Sequence, residues 1–257
     1  MAPPRTYRTE ALTLRRSTLG EADLLLTLYS KDRGKIRAVA KGARRSTSKL
    51  VGHLEPLTRV QLSLSMGRSL DIITQAQVLS NFTPLKETLA GITKGLYVAE
   101  LVDGFGSEAQ SNPAVYDLAL GTLDAIAKDP ESELPLRFFE LRLLNASGLM
   151  PELYECVECR RPVAPGSHRF SPNVGGILCL DCGPAEAQIR PISLRALKVL
   201  RLFHRASTSK TPSISVAPAL AQELKTLLAS TISFWLEKEI RSNSLMEHLQ
   251  RDTKSAV

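Results

Sequence analysis

Cys156-Val-Glu-Cys159 and Cys179-Leu-Asp-Cys182 hold every cysteine of the chain, in two C-x-x-C pairs with nineteen residues, 160–178, between them. Thiols at this spacing are zinc ligands: each pair bends the chain until two sulfurs reach one ion, and four thiolates complete a closed tetrahedron. A closed shell leaves no position for water, so the metal would staple the chain rather than react. Cys156, Cys159, Cys179 and Cys182 are therefore predicted to bind one structural Zn²⁺. Turn-forming pairs surround them (Arg161-Pro162, Pro165-Gly166, Gly175-Gly176, Gly183-Pro184), as in a ribbon-like finger. Two disulfides, a redox pair or idle thiols are the competing uses, and disulfides need an oxidising compartment. His168 lies inside the finger loop, and a full cysteine shell leaves it as a surface histidine.

No other constellation points to catalysis, and no enzymatic activity is expected. There is no phosphate-cradling glycine loop; Gly104-Phe-Gly106 is a lone G-x-G at a helix end, where a C-cap is the commoner use. The histidines at 53, 168, 204 and 248 share no site-like spacing. Glu21 and Asp23 precede a strand, where a carboxylate pair is more often a solvated turn than a metal site.

The 257 residues suffice for one to three domains. No apolar run approaches the ~20 residues of a membrane span, and Met-Ala-Pro-Pro-Arg at the start lacks the apolar core of a signal peptide. A soluble chain of the cytoplasm is expected. The net charge of +7 is unevenly spread. Residues 1–80 carry 14 Lys/Arg against 6 Asp/Glu, residues 81–155 carry 5 against 12, and residues 156–257 carry 14 against 8. A basic head attracts polyanions over about a Debye length, roughly 8 Å at physiological salt. Nucleic acid is the leading partner, and a solvated basic face is the alternative.

Short segments at 8–15, 23–29, 35–40, 57–64 and 70–78, rich in alternating or β-branched apolar residues and separated by turns such as Lys31-Asp32-Arg33-Gly34, predict five strands. Residues 41–56 leave room for a loop and a short helix capped near Ser46 or Ser48. This order matches the OB-fold, a small barrel that often binds nucleic acid, although other small barrels share it. Beyond Pro84 the apolar period becomes helical: 85–105, a second helix from Asn112-Pro113 to near Lys128, a third over 135–147 stopped by Gly148, then 193–205 and 218–249. The fold class is thus multidomain α+β: an OB-fold β-barrel over 1–82, then an all-helical domain over 83–257 with a Cys₄ zinc finger inserted at about 153–186.

The cations of the head cluster. Arg33, Lys35 and Arg37 are two apart on one predicted strand face, and Lys41, Arg44, Arg45 and Lys49 follow in the loop. Together they form a groove able to track a phosphate backbone. The head has few aromatic residues for base stacking, Tyr7 and Tyr29, and Tyr29 ends an apolar strand as a core residue would. Binding is expected to be mostly electrostatic and tolerant of sequence.

Two stretches carry a family resemblance. Leu19-Gly-Glu-Ala-Asp-Leu24 and Gly34-Lys-Ile-Arg-Ala-Val-Ala-Lys-Gly-Ala-Arg-Arg45, followed by Ser48, resemble the N-terminal domain of the RecO family of bacterial recombination mediators. Arg137-Phe-Phe-Glu-Leu-Arg-Leu-Leu144, Gly148-Leu-Met-Pro151, the cysteine pairs, Phe170-Ser171 and Gly175-Gly-Ile-Leu-Cys179 resemble its helical and zinc-finger region. The resemblance implies a non-enzymatic protein that binds single- and double-stranded DNA and anneals complementary strands. It further implies that, with RecR, such a protein helps RecA displace the single-stranded-DNA-binding protein. The family's basic barrel positions fall here on Arg33, Lys35, Arg37, Lys41, Arg44 and Arg45, and its zinc ligands on the four cysteines.

On a helix over 193–205, Arg195, Lys198, Arg201 and Arg205 share a stripe with Leu194 and Leu202, opposite Leu197, Val199, Leu200 and Phe203. The stripe suits an acidic peptide ending in an apolar side chain, the type of C-terminal tail carried by the single-stranded-DNA-binding protein; a solvated helix face is the alternative. Two other functions stay in view. A sequence-specific DNA-binding regulator needs a recognition helix. A zinc-dependent nucleic-acid-modifying enzyme needs an open metal position with an acid–base glutamate.

Overall fold

The computed structural model describes residues 5–163, 166, 168–182, 188–206, 211–236 and 242. The chain divides into two compact units, Met1–Glu131 with Ile240–Val257, and Ser132–Glu239. The region 83–257 therefore contributes to both.

In the first unit, five strands, β1 (Thr6–Leu19), β2 (Asp23–Ser30), β3 (Gly34–Ala40), β4 (Arg59–Ser65) and β5 (Asp71–Ser80), close in the order β1-β2-β3-β5-β4. Neighbours are antiparallel except β3 and β5, which run parallel. This is the topology expected of the OB-fold. The two-residue period places Leu24, Leu26 and Leu28 of β2, Ile36 and Ala38 of β3, and Val60, Leu62 and Leu64 of β4 in one apolar core. The short helix expected between β3 and β4 is a single 3₁₀ turn, Val51–His53; neither Ser46 nor Ser48 caps it, since Leu50 precedes it with no side-chain cap and Ser48 Oγ accepts the Leu50 amide at 3.2 Å. A polar run Arg44–Lys49 offers no helical apolar stripe; what the loop supplies is Ala43 and Leu54, both fully buried in the barrel core.

Three helices complete the unit: α1 (Thr83–Lys86), α2 (Leu89–Phe105) and α3 (Pro113–Lys128). The apolar run from Leu85 is split because Thr88 caps α2, its hydroxyl accepting the Gly91 amide at 3.0 Å. Asn112 caps α3 in the same way, accepting from the Val115 amide. Gly106 ends α2, its amide bonded to Val102 O at 2.9 Å. A Cβ there would lie 2.8 Å from the Tyr29 ring, so the C-cap glycine also lets the helix end rest on the barrel. Tyr29 is buried, in line with the core role expected of it.

The second unit holds α4 (Leu134–Ala146), a three-stranded sheet of β6 (His168–Ser171), β7 (Gly176–Leu178) and β8 (Arg190–Ile192), then α5 (Leu194–Arg205) and α6 (Pro218–Leu236). Gly148, at φ +73°, closes α4 with the 6→1 bond from Leu149 N to Leu144 O that a left-handed C-terminal residue permits. Phe138 of α4 meets Phe203 of α5 edge to face at 5.4 Å, both fully buried. The sheet, in the order β7-β6-β8, belongs to the finger and its exit. The expected helical stretch beyond Leu236 lies outside the described residues except for Ser242, as do parts of the finger loops at 164, 165, 167 and 183–187.

Candidate nucleic-acid interface and metal centre

β3 turns Lys35 and Arg37 outward while Ile36 and Ala38 point into the core. Arg33 sits in the turn before the strand, and its guanidinium lies 3.9 Å from the centre of the Tyr7 ring. Lys41, Arg44, Arg45 and Lys49 are exposed in the loop after it. That loop is pinned to the β1–β2 turn: the Arg44 amide donates to Ala22 O, the Arg44 side chain to Glu21 O at 2.9 Å, and the Gly42 amide to Asp23 Oδ1 at 2.7 Å. Asp23 thus serves as a backbone anchor, the bland alternative to a metal pair with Glu21.

The seven predicted cations are not equivalent. Lys35 Nζ donates to Asp103 O at 2.7 Å and pairs with Asp103 Oδ1 at 3.3 Å, so its charge is neutralised by α2. Lys31 is likewise paired with Asp117 of α3. Among the described residues, Arg33, Arg37, Lys41, Arg44, Arg45 and Lys49 take part in no ion pair. The acidic middle of the sequence therefore neutralises Lys31 and Lys35, while the other cations along β3 and its exit loop stay outside any ion pair. Sequence inspection missed the β4–β5 turn, where Met66, Gly67, Arg68 and Ser69 face Arg33 and Arg37 across a groove of ≈ 510 Å³. The signal was present: a Gly-Arg-Ser turn between two alternating strands, in a fold whose β4–β5 loop commonly meets ligands.

In the finger, the four sulfurs lie within 4.8 Å of one another, with Cys159 and Cys179 3.9 Å apart. A tetrahedral ion with ~2.3 Å metal–sulfur bonds needs sulfurs about 3.8 Å apart, whereas a disulfide needs ~2.05 Å. All four cysteines are free, so the spacing fits one shared metal ion and not a pair of disulfides. The first knuckle is closed by Arg160 N to Cys156 O and Cys156 N to Arg161 O, both 2.9 Å, with Arg160 itself in the left-handed region at φ +59°. His168 is buried on β6 and outside the cysteine group, so the expected surface histidine is corrected: strand alternation turns it inward.

Arg161, noticed in the sequence only as a turn residue, donates from Nε to Cys159 Sγ at 3.2 Å, lies 3.8 Å from Cys179 Sγ, and pairs with Asp181 at 3.2 Å. Its side chain draws the Cys159 thiol down to about 6 from an ordinary value near 9, which favours the thiolate a metal requires. Arg169 donates to the carbonyls of Cys179, Leu180 and Cys182 and so shapes the second knuckle.

On α5, Ala196, Leu197, Leu200 and Phe203 are buried, while Arg195, Lys198, Leu202 and Arg205 are exposed, the two faces expected. Arg201 departs from that pattern: its guanidinium donates twice to Leu153 O, at 2.9 and 2.7 Å, and lies over the Tyr154 ring. It ties the start of the finger to the helix. Arg205 also reaches Tyr154, at 3.3 Å from the hydroxyl.

Two family models cover nearly the whole chain: Recombination protein O N terminal over residues 1–82 and Recombination protein O C terminal over 86–244. The chain belongs to the RecO family. Among its relatives is the DNA repair protein RecO of Roseiflexus sp. (strain RS-1), 38% identical over 96% of this chain and 87% of that protein. The DNA repair protein RecO of Dehalococcoides mccartyi (strain ATCC BAA-2266 / KCTC 15142 / 195) is 35% identical over 98% and 99%. That of Cutibacterium acnes (strain DSM 16379 / KPA171202) is 35% identical over 94% and 99%. The RecO family is one of DNA repair and recombination, and both the barrel and the finger-bearing helical region fall inside its models. No helix among the described residues is long and apolar enough to cross a membrane.

Proposed function

We propose that this protein is a non-enzymatic recombination mediator of the bacterial cytoplasm. It binds single- and double-stranded DNA through phosphate contacts, anneals complementary strands and, with RecR, promotes RecA loading onto DNA coated by the single-stranded-DNA-binding protein. The observation that carries this reading is the line of unpaired cations along β3 and the loop after it, Arg33, Arg37, Lys41, Arg44, Arg45 and Lys49, on an OB-type barrel of a RecO-family chain. Such a surface screens the repulsion between two phosphate chains, so complementary strands meet without nucleotide hydrolysis. The metal in this reading is one structural Zn²⁺ held by Cys156, Cys159, Cys179 and Cys182, and Arg161 offsets part of the negative charge of four thiolates. A four-thiolate shell leaves no open position for a zinc-bound water, which argues against the modifying-enzyme alternative. The exposed part of the α5 stripe, Arg195, Lys198, Leu202 and Arg205, is the proposed seat for the acidic tail of the single-stranded-DNA-binding protein.

The test is salt-dependent binding to single strands and duplexes of unrelated sequence, with annealing measured on the same sample. Charge reversal at Arg37, Lys41 and Arg45 is expected to weaken binding to every sequence alike. Each lost contact should lower the slope of log K against log salt by about 0.7 on single strands or 0.9 on duplex. Strong preference for one duplex sequence would favour the regulator alternative, and unchanged binding would move the site off the barrel.

A further inference from the structure

The groove beside β3 has a lining that phosphate contacts leave unexplained. β3 pairs with β5 only through Ala38 and Val39; over its first half, where the groove lies, its edge meets instead the segment after α2, the Lys35 amide donating to Ser107 O at 3.1 Å. Arg33, Lys35, Arg37 and Arg68 line it, but so do Asp32, Asp71 and Glu108. Three carboxylates beside four cations make a poor seat for a bare phosphate chain, yet carboxylates accept hydrogen bonds from the amino groups of bases. The Arg33 guanidinium lies 3.9 Å from the centre of the Tyr7 ring, and Arg33 is exposed; guanidinium planes are stacking platforms for unpaired bases. The platform is held in place: the Tyr7 hydroxyl donates to Asp71, whose other oxygen accepts the Gly67 amide at 3.1 Å. A Cβ on Gly67 would lie 1.9 Å from Leu70 O, so the turn carrying Arg68 is tight. Met66, exposed at the same groove, adds polarizable apolar surface.

We infer that this groove takes one unpaired nucleotide of a single strand, its base stacked on the Arg33–Tyr7 pair and its amino edge toward the carboxylates. The volume is that of a small-ligand site, and a base inside a duplex has both faces covered and cannot enter. The inference rests on the DNA-binding reading above and deepens it: the exit-loop cations hold phosphate of any strand, while the groove selects strands with free bases.

The experiment compares the zinc-loaded chain of 257 residues on an oligo-deoxycytidylate and on an abasic phosphodiester of equal length and charge. The wild type is expected to bind the base-bearing strand roughly 5- to 150-fold more tightly, the range of one stacked base. Arg33→Lys keeps the charge but removes the plane, and is expected to bring that ratio close to one without altering the salt slope. A wild-type ratio near one, or a ratio that survives Arg33→Lys, overturns the inference. Where the ratio overturns the inference but charge reversal at Lys41 and Arg45 weakens both probes, the DNA-binding reading stands while the base site falls. If the wild type binds neither probe, both fall together.

Discussion

Glu10 links three elements of the barrel unit through one oxygen. Its Oε1 accepts from Arg59 Nε at 2.9 Å and from the Tyr116 hydroxyl at 2.8 Å, so one oxygen joins β1, β4 and α3. Tyr116 is fully buried, and its phenol is pushed up by burial and then by the Glu10 bond, which keeps it a neutral donor. Glu10→Ala is expected to cost about 1–3 kcal/mol by orphaning both donors, and Tyr116→Phe about 1 kcal/mol; urea unfolding followed by circular dichroism measures both. Lys35 and Arg37 make a second contrast. Alternation puts them on the same strand face and hence gives them the same apparent role, and nothing nearby in sequence separates them. The difference is Asp103, 68 residues downstream, which holds the Lys35 ammonium. Lys35→Ala is therefore expected to lower stability by about 1 kcal/mol and to change DNA affinity less than Arg37→Ala, as titration of a labelled single strand would register.

At the scale of elements, the finger and the strands were legible because their signals are local. C-x-x-C spacing, two-residue alternation and capping residues act within a few positions, so β1–β5, α3 and α5 appear close to where the sequence puts them. The connection after β3 shows the opposite case: its helix is one 3₁₀ turn, Ser48 bonds its own neighbourhood instead of capping it, and the loop buries Ala43 and Leu54 in the core without any helical period. Cys159→Ser is expected to release the metal and destabilise the second unit. Structural zinc is worth an apparent ~10–16 kcal/mol in isolated fingers, and packing against α5 through Arg201 should recover part of that here. Metal content by atomic absorption and the thermal midpoint of wild type and variant check it; a metal-free wild type with two disulfides would contradict it. For α5, Arg195→Glu with Lys198→Glu is expected to weaken an acidic tail peptide by about tenfold at moderate salt. Both residues avoid Arg201, whose loss would disturb the finger as well.

For the whole molecule, the change of period at Pro84 marked where strands give way to helices, but not where one compact unit gives way to the next. The barrel needs cover for Tyr29 and partners for Glu10, Lys31 and Lys35, and these come from α2 and α3, so the first unit continues to Glu131. Such contacts join residues far apart in the chain and leave no short-range trace. A fragment of residues 1–82 is accordingly expected to melt at lower temperature than one of residues 1–131, because exposing Tyr29 alone forfeits about 1.5–3 kcal/mol.

The pairing of Lys31 and Lys35 with α3 and α2 removes two cations from the barrel unit, and a cationic track stays uncompensated along β3 and the following loop. Such a track behaves as a titrant toward DNA. At low protein, each added molecule cancels phosphate charge and two strands approach; past the equivalence point, both strands are coated, the complexes carry like charge, and approach slows again. The proposed annealing should therefore be fastest at an intermediate ratio of protein to nucleotide, with added salt blunting both the rise and the fall.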